Sequence, residues 1–247
     1  MSEFQIVTEN IARLELQYKM ADLISIAVAV WLVRGKEGFV LIDSGPPKTA
    51  GDMVEAVSEA TGGRGPSVVL LTHGHFNHTG GLSALRLAWN PPIAAHVLEA
   101  PYIVGSKDYA RIRSNHPAYW LGSLLMESTP WSISNISHIN QGQTILGLNV
   151  IHLPGHTPGH TGFIHMKDQA CICGDAVMNI GHRLMAPLTF TTPNPKIAKN
   201  SIFRLTERNF QHLLPSHGPP IMGVGRQWLF EYARKRARQK SPKTPKP

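Results

Sequence analysis

Leu71-Thr72-His73-Gly74-His75-Phe76-Asn77-His78-Thr79-Gly80-Gly81 carries three histidines within six positions. It follows an apolar run, Val68-Val69-Leu70-Leu71, that reads as a buried strand. Thr79-Gly80-Gly81 then opens a helix. A turn between a strand and a helix aims several imidazoles at one point, where an uninterrupted strand would splay them. Imidazole nitrogen is the usual protein ligand for zinc and similar borderline metals. A polar loop that happens to be rich in histidine is the plain alternative.

The rest of the chain bears on that choice, because further candidate ligands stand at strand ends. His156 follows the strand Val150–Leu153 in Leu153-Pro154-Gly155-His156-Thr157-Pro158-Gly159-His160-Thr161. Gly174-Asp175 closes the apolar run Ala170–Cys173, and Ser216-His217-Gly218 closes Phe210–Pro215. Ligands at one edge of stacked sheets converge although they are far apart in sequence. A carboxylate ending an apolar strand is costly to bury unpaired, and a metal removes that cost. Either His156 or His217 alone would read as a satisfied polar residue.

In chain order, Phe4–Val7 and Ile11–Tyr18 read as edge strands. Ile24–Val33 and Phe39–Asp43 read as a strand pair joined through Gly35 and Gly38. A helix over Thr49–Ala60 stops at Gly62-Gly63. The strand 67–72, a helix near Leu82–Trp89, the strand Ile93–His96 and a helix Leu98–Val104 continue the alternation. Residues 105–140 carry Tyr109, Tyr119, Trp120, Leu124, Leu125, Met126 and Trp131 among prolines, and read as one or two short helices covering a pocket or packing irregularly. The β pattern returns with Thr144-Ile145, Val150–Leu153, Thr161–Met166 and Ala170–Cys173. Helices near Lys196–Arg208 and Gly225–Arg238 flank the strand Phe210–Pro215.

Composition bounds the class. The chain has 247 residues, 42% of them hydrophobic and 16% charged, which describes a globular protein with a sizeable core. Its net charge of +8 is concentrated at the end: residues 231–247 hold seven Lys/Arg against one Glu. The division expected is a body over 1–230 and a basic, Pro/Lys-rich tail over 231–247. Such a tail is ordinarily a solvated helix end, so no nucleic-acid partner is expected. Cys171 and Cys173, at i and i+2 on one strand, imply no disulfide. The longest apolar run, Ile24–Val33, is ten residues and contains Ser25, too short to span a bilayer. Glu3 and Glu9 stand where a secretory leader would be basic, so the expectation is a cytoplasmic protein without a membrane partner.

Taken together, Asp43-Ser44-Gly45, His73-x-His75-x-Asn77-His78, Pro154-Gly155-His156-Thr157-Pro158-Gly159-His160, Gly174-Asp175 and Ser216-His217-Gly218 resemble the metallo-β-lactamase superfamily, over about residues 4–230. The resemblance implies an α/β fold, a four-layer αββα sandwich with a dinuclear metal site at one edge. It places His73, His75 and His156 on one ion and His78 and His217 on a second, with Asp175 bridging. Asp43 supports the site through hydrogen bonds, and His160 lies outside the coordination sphere. His96, His116, His138, His152, His165, His182 and His212 match no ligand position.

The resemblance has aspartate where this chain has Asn77, a residue that binds the second ion and accepts a hydrogen bond from the hydroxide. Asn77 offers a neutral carbonyl oxygen instead, or an amide hydrogen near the oxyanion. The implied activity is that of a zinc-dependent hydrolase (one or two ions, with iron or manganese as alternatives) using metal-bound hydroxide. Asn77 and Asp175 serve as catalytic as well as ligating residues. The small-molecule substrate expected is an ester, lactone or thioester. Only thirty residues follow His217, where glyoxalase-type glutathione thioesterases carry a helical domain. Quorum-quenching lactonases often place a tyrosine shortly after the bridging aspartate, and Asp175-Ala176-Val177-Met178-Asn179 has none. The alternatives are a metal-binding protein of this fold with little hydrolytic activity, and a mononuclear iron dioxygenase of the persulfide type.

Removing residues 239–247 is expected to leave melting temperature and metal content unchanged, because a Lys/Pro-rich end buries little apolar area. A fall of several degrees in a thermal melt of the truncated chain would show instead that the tail docks on the body.

Overall fold

The long apolar runs resolve into strands buried on both faces. In the run 28–33, Val28, Val30 and Leu32 point one way and Ala29, Trp31 and Val33 the other. That period of two is the pleat of a strand. It reads as continuous hydrophobicity because helices lie on one side of the sheet and a second sheet on the other. The computed structural model describes residues 2–20, 24–114, 117–119 and 133–238.

The first sheet has seven strands in sequence order: β1 (Gln5–Ile6), β2 (Ile11–Met20), β3 (Ile24–Gly35), β4 (Gly38–Ile42), β5 (Val68–Leu70), β6 (Ile93–His96) and β7 (Ile136–Ile139). Strands β1 to β4 are antiparallel, and β4 to β7 parallel. The second sheet is built from β8 (Thr144–Ile145), β9 (Leu148–His152), β10 (Thr161–His165), β11 (Ala170–Gly174) and β14 (His212–Pro215). Its order is β14-β11-β10-β9-β8, with β14 parallel to β11. A separate hairpin pairs β12 (Met178–Ile180) with β13 (Arg183–Met185).

Helices α1 (Ala50–Thr61), α2 (Phe76–Thr79), α3 (Leu82–Ala88) and α4 (Ala100–Ile103) come from the first half of the chain. Helices α5 (Pro195–Thr206) and α6 (Gly225–Arg238) come from the second. Three cores separate the layers. Met53, Val57, Leu82 and Leu85 pack on the outer face of the first sheet, against Leu14, Val30 and Leu41. Trp31, Ile42, Leu70, Val150, Phe163 and Ile172 fill the space between the sheets. Ile202, Leu205 and Leu229 cover the far face of the second sheet, against Ile151, Ile164 and Leu213. The result is the expected αββα sandwich. Truncating Trp31 to alanine in the middle layer would cost about 3–5 kcal/mol.

The cysteines follow the same alternation. Cys171 and Cys173 are free, buried and on the helix-facing side of β11. Burial pushes the Cys171 thiol up, away from the reactive thiolate. Helix α6 runs through residue 230 without a break, with Leu229 and Ala233 buried.

Two expectations need correction: Ile11–Tyr18 is no edge strand, since β2 lies between β1 and β3, and residues 105–140 hold more than short helices. Residues 105–140 contain a strand, β7, which extends the parallel end of the first sheet. Its four residues are too few to show a period, and the open edge of β6 decides their state. The hairpin 178–185 was likewise not foreseen, because its strands are three residues each. Tyr109 begins a short 3₁₀ turn, Tyr109–Arg111, and residues 117–119 are helical. His116, Trp120, Leu124, Leu125, Met126 and Trp131 lie outside the described residues.

The sheets are clasped at the edge where β10 turns into β11. Asp168, in that turn, accepts hydrogen bonds from Thr8 Oγ1, from Asn10 N at 2.9 Å and from Asn10 Nδ2 at 2.6 Å. Burial works to raise its pKa, but these bonds and His165 hold it below the ordinary 3.8. Asp168→Ala is expected to cost about 1–3 kcal/mol, as charge-assisted bonds are lost. A carboxylate with a lowered folded-state pKa stabilises above its unfolded value and stops doing so as pH falls through the folded one. The gap in melting temperature between wild type and variant should therefore be full above about pH 4 and close at lower pH. A gap that stays constant down to pH 2 would refute this account.

Candidate metal centre

The opposite edge of the sandwich collects the polar residues. Asp43 follows β4, the 73–78 turn follows β5, and His156 follows β9. Asp175 follows β11, and His217 follows β14. Strands β4 and β5 run parallel. Strand β9 is antiparallel to β10, and β10 to β11, so β9, β11 and β14 share one direction. All five groups therefore leave strand C-termini at one rim. There the sheets are joined by backbone bonds, Thr161 N to Thr72 O at 2.8 Å and Ala29 N to Ser216 O at 2.8 Å.

Asp175 is the meeting point. Its Oδ2 lies 3.3 Å from His217 Nε2, 3.5 Å from His156 Nε2 and 4.0 Å from His73 Nε2. Its Oδ1 lies 3.5 Å from His78 Nε2. His73 Nε2 and His75 Nδ1 are 3.1 Å apart. Among the described residues, two sets have ligand atoms close enough to share an ion: His73, His75 and His156, and His73, His78 and Asp175.

The outward nitrogens explain how the rings are held. Thr72 Oγ1 donates to Asp43 Oδ2 at 2.7 Å, so it accepts from His73 Nδ1 at 3.1 Å. Thr192 Oγ1 donates to Leu188 O at 2.7 Å, so it accepts from His156 Nδ1 at 3.1 Å. His78 Nδ1 donates to Asp43 Oδ2 at 2.8 Å, and His217 Nδ1 to Ala27 O at 2.7 Å. Each of the four carries its proton on Nδ1 and turns Nε2 inward, as a second layer of hydrogen bonds does for metal-binding histidines. His78 Nε2, His156 Nε2 and Asp175 Oδ1 are buried without any hydrogen-bond partner. Orphaned groups of this kind are rare in folded proteins. A cation answers all three at once, and the donor set, imidazole with one carboxylate, suits zinc or iron.

The electrostatics divide the site in two. Burial pushes His73 and His156 well down and His75 to about 4, so these rings are neutral and can give a lone pair. Burial acts the same way on His78, but Asp175 and Asp43 outweigh it and raise that ring to about 10. His217 is raised against burial by Asp175. Asp175 in turn is held well below the carboxylate range, since His217 and His78 overcome its burial. Two buried carboxylates thus set up a field that draws positive charge to this rim.

The chain matches the family model described as "Metallo-beta-lactamase superfamily" over residues 26–217. The chain belongs to this superfamily. It is 31% identical over 203 residues to the probable metallo-hydrolase YflN of Bacillus subtilis, covering 75% of this chain and 77% of that protein. It is 30% identical over 125 residues to the hydroxyacylglutathione hydrolase GloC of Haemophilus influenzae, covering 46% of this chain and 51% of that one. Among solved structures it is similar to TTHA1623 in a di-iron-bound form, at a TM-score of 0.61 and 28% identity, over 80% of this chain and 90% of that one. The metallo-β-lactamase fold holds one or two metal ions, and this rim carries a His/Asp cluster able to hold one.

The remaining residues fall around that cluster. Asn77 sits on α2 between His75 and His78, 8% exposed, and among the described residues its amide makes no hydrogen bond. His160 Nε2 accepts from Asp175 N at 3.0 Å, which orients the aspartate from behind. His96 and His152 stack at 4.1 Å away from the cluster, and His165 approaches Asp168 at the other end. Sequence reading missed Thr72, Thr192 and Glu99. Glu99 is fully buried, and burial raises its carboxyl to about 7 although four donors pull the other way.

Gly174 aims Asp175. Its φ of +55° is the left-handed region, and a Cβ there would stand 2.8 Å from His160 Nε2 and 2.9 Å from Thr72 Cβ. Gly174→Ala is expected to lower stability by about 1–3 kcal/mol through backbone strain alone, with the contact added. Gly62→Ala, at a similar φ but in open space, is the control. Equal melting temperatures for the two variants would contradict the close packing behind Asp175.

Proposed function

We propose that this superfamily member is a metal-dependent hydrolase of a small ester, lactone or thioester. The observation that carries this reading is the set of inward-facing imidazole nitrogens around one buried carboxylate, three of whose atoms have no other partner. His73, His75 and His156 would hold one ion, His78 and His217 a second, and Asp175 would stand between them. A bound ion supplies Lewis acidity and brings the pKa of a coordinated water to roughly 7.

The chain's own groups do the rest. Asp43, Thr72, Thr192 and the Ala27 carbonyl hold the rings by Nδ1, so that Nε2 faces the cluster in each; His73 and His156 offer a lone pair there, and His78 and His217 would give up a proton to an arriving ion. His160 holds the Asp175 backbone. Asn77 takes the place of an anionic ligand with a neutral amide. With histidines neutral and Asp175 the one anionic ligand, two dications leave a formal charge higher by one than an aspartate at 77 would. A second ion would then be held more weakly than with an aspartate at 77.

Kinship with a hydroxyacylglutathione hydrolase supports the thioester member of the substrate class. The alternative of a one-iron dioxygenase with two histidines and an aspartate leaves His78 and His217 without a task. Both turn Nε2 to Asp175, which speaks for the hydrolase.

Metal analysis of the purified chain beside an ester, lactone and thioester panel tests the proposal. About two ions per chain with turnover on the panel is the expected result. One iron with oxygen uptake, or stoichiometric metal with no turnover, would reject it. Asn77→Asp is expected to raise occupancy toward two under limiting metal, and turnover with it, by roughly tenfold for each 1.4 kcal/mol gained. Equal chelator-competed affinity and equal turnover in the two proteins would remove the role given to Asn77.

A further inference from the structure

Glu99 follows β6 and precedes α4, with no exposed surface. Its Oε1 accepts from Gly74 N at 2.9 Å and from the Tyr109 hydroxyl. Its Oε2 accepts from Gly159 N at 2.8 Å and from Thr157 Oγ1 at 3.0 Å. Gly74 stands between His73 and His75, and Thr157 and Gly159 follow His156. One carboxylate therefore grips, with separate oxygens, the two loops that carry the three-histidine set. The backbone makes room for it. A Cβ on Gly74 would be 2.4 Å from the Tyr109 hydroxyl oxygen, and one on Gly159 would be 2.6 Å from Glu99 N. The glycines of His73-Gly74-His75 and of Pro158-Gly159-His160 thus admit this carboxylate and its tyrosine.

We infer that Glu99 is a positioning residue that sets the spacing between the 73–75 and 156–160 loops, and through it the fit of His73, His75 and His156 to one ion. The inference rests on the metal reading of those histidines. Each oxygen of Glu99 faces one backbone N–H, Gly74 on one loop and Gly159 on the other, and these can only donate, so a glutamine would turn its NH₂ toward an N–H at one loop or the other. A buried N–H left unpaired drives that loop to shift. Tyr109 extends the contact, since it also accepts from Gly74 N at 3.1 Å and lays its ring edge-on to His75 with centroids 4.8 Å apart. Tyr119 Oη in turn donates to Tyr109 O at 2.6 Å.

The test uses the full chain as wild type, Glu99→Gln and Thr157→Val, titrated with zinc against a chelator and then with cobalt(II) to record its absorption bands. Glu99→Gln is expected to weaken the tighter ion by roughly 10- to 100-fold, as for other residues that orient metal ligands, and to shift the cobalt bands. Thr157→Val removes one of the four donors and keeps the charge. It should move affinity and bands the same way by roughly threefold, less than a full kcal/mol, and it decides the matter if Glu99→Gln does not fold. Wild-type affinity and unchanged bands in both folded variants, or in Thr157→Val alone if it is the folded one, would overturn the inference while leaving the metal centre standing. A wild type that binds neither zinc nor cobalt would overturn the metal centre and this inference with it.

Discussion

The Asp175 carboxylate is the constraint on which the rest of this molecule turns. It is buried, ionised, and ringed by four imidazoles from three separate segments. A buried anion of this kind costs several kcal/mol unless every lone pair finds a partner. The fold meets the demand by ending β5, β9 and β14, which contribute the rings, at the same rim as β11, which contributes the carboxylate. It also needs the sheets to keep their distance there, which the Thr161–Thr72 and Ala29–Ser216 backbone bonds enforce. At the far end Asp168 performs the same mechanical task with ordinary hydrogen bonds and no free valence. At that end both Asp168 oxygens have hydrogen-bond partners. At the rim His78 Nε2, His156 Nε2 and Asp175 Oδ1 have none.

Layering explains why chemistry is confined to the rim. Strands β4 and β11 and the stretch 28–33 of β3 are apolar on both faces because each sheet lies between helices and the other sheet. A polar side chain midway along such a strand would have no partner. At the strand ends the backbone turns, N–H groups and hydroxyls become available, and a charged group can be paired. Gly74 and Gly159 mark where that turning leaves no space for a side chain because Glu99 already fills it.

The same logic sets what could be read from sequence. The three-layer core was legible because runs such as Val28–Val33 are long enough to show that no position is polar. His73, His75, His78, His156, Asp175 and His217 were legible because each stands directly after such a run. Strand β7 was not, since four residues carry no period and its pairing is decided by β6. Glu99 was not either. In the expected helix Leu98–Val104 an acid in the first turn is an ordinary solvated partner of the helix N-terminus. Its true partners lie 25 and 60 residues away in the chain. Thr192 was hidden for the same reason: its link to His156 spans 36 residues. Coordinating atoms advertise themselves by residue type, whereas the groups that orient them are common residues identified only by where they fall.

The two halves of the cluster are backed by different chemistry, and this bears on the neutral residue at 77. His73 and His156 lean on hydroxyls, Thr72 and Thr192, which carry no charge. His78 leans on a second buried carboxylate, Asp43, at 2.8 Å. A carboxylate behind an imidazole makes the ring a better electron donor, since it favours positive charge on the far side. The group formed by His78, His217 and Asp175 therefore receives anionic support from two aspartates, one as a direct neighbour and one through a ring. In the proposed reading an aspartate at position 77 would add a third charge to the same half, and with Asn77 there Asp43 stands behind it as anionic support. The three hydrogen bonds that Asp43 accepts, two from Thr72 and one from His78, keep it aligned for this.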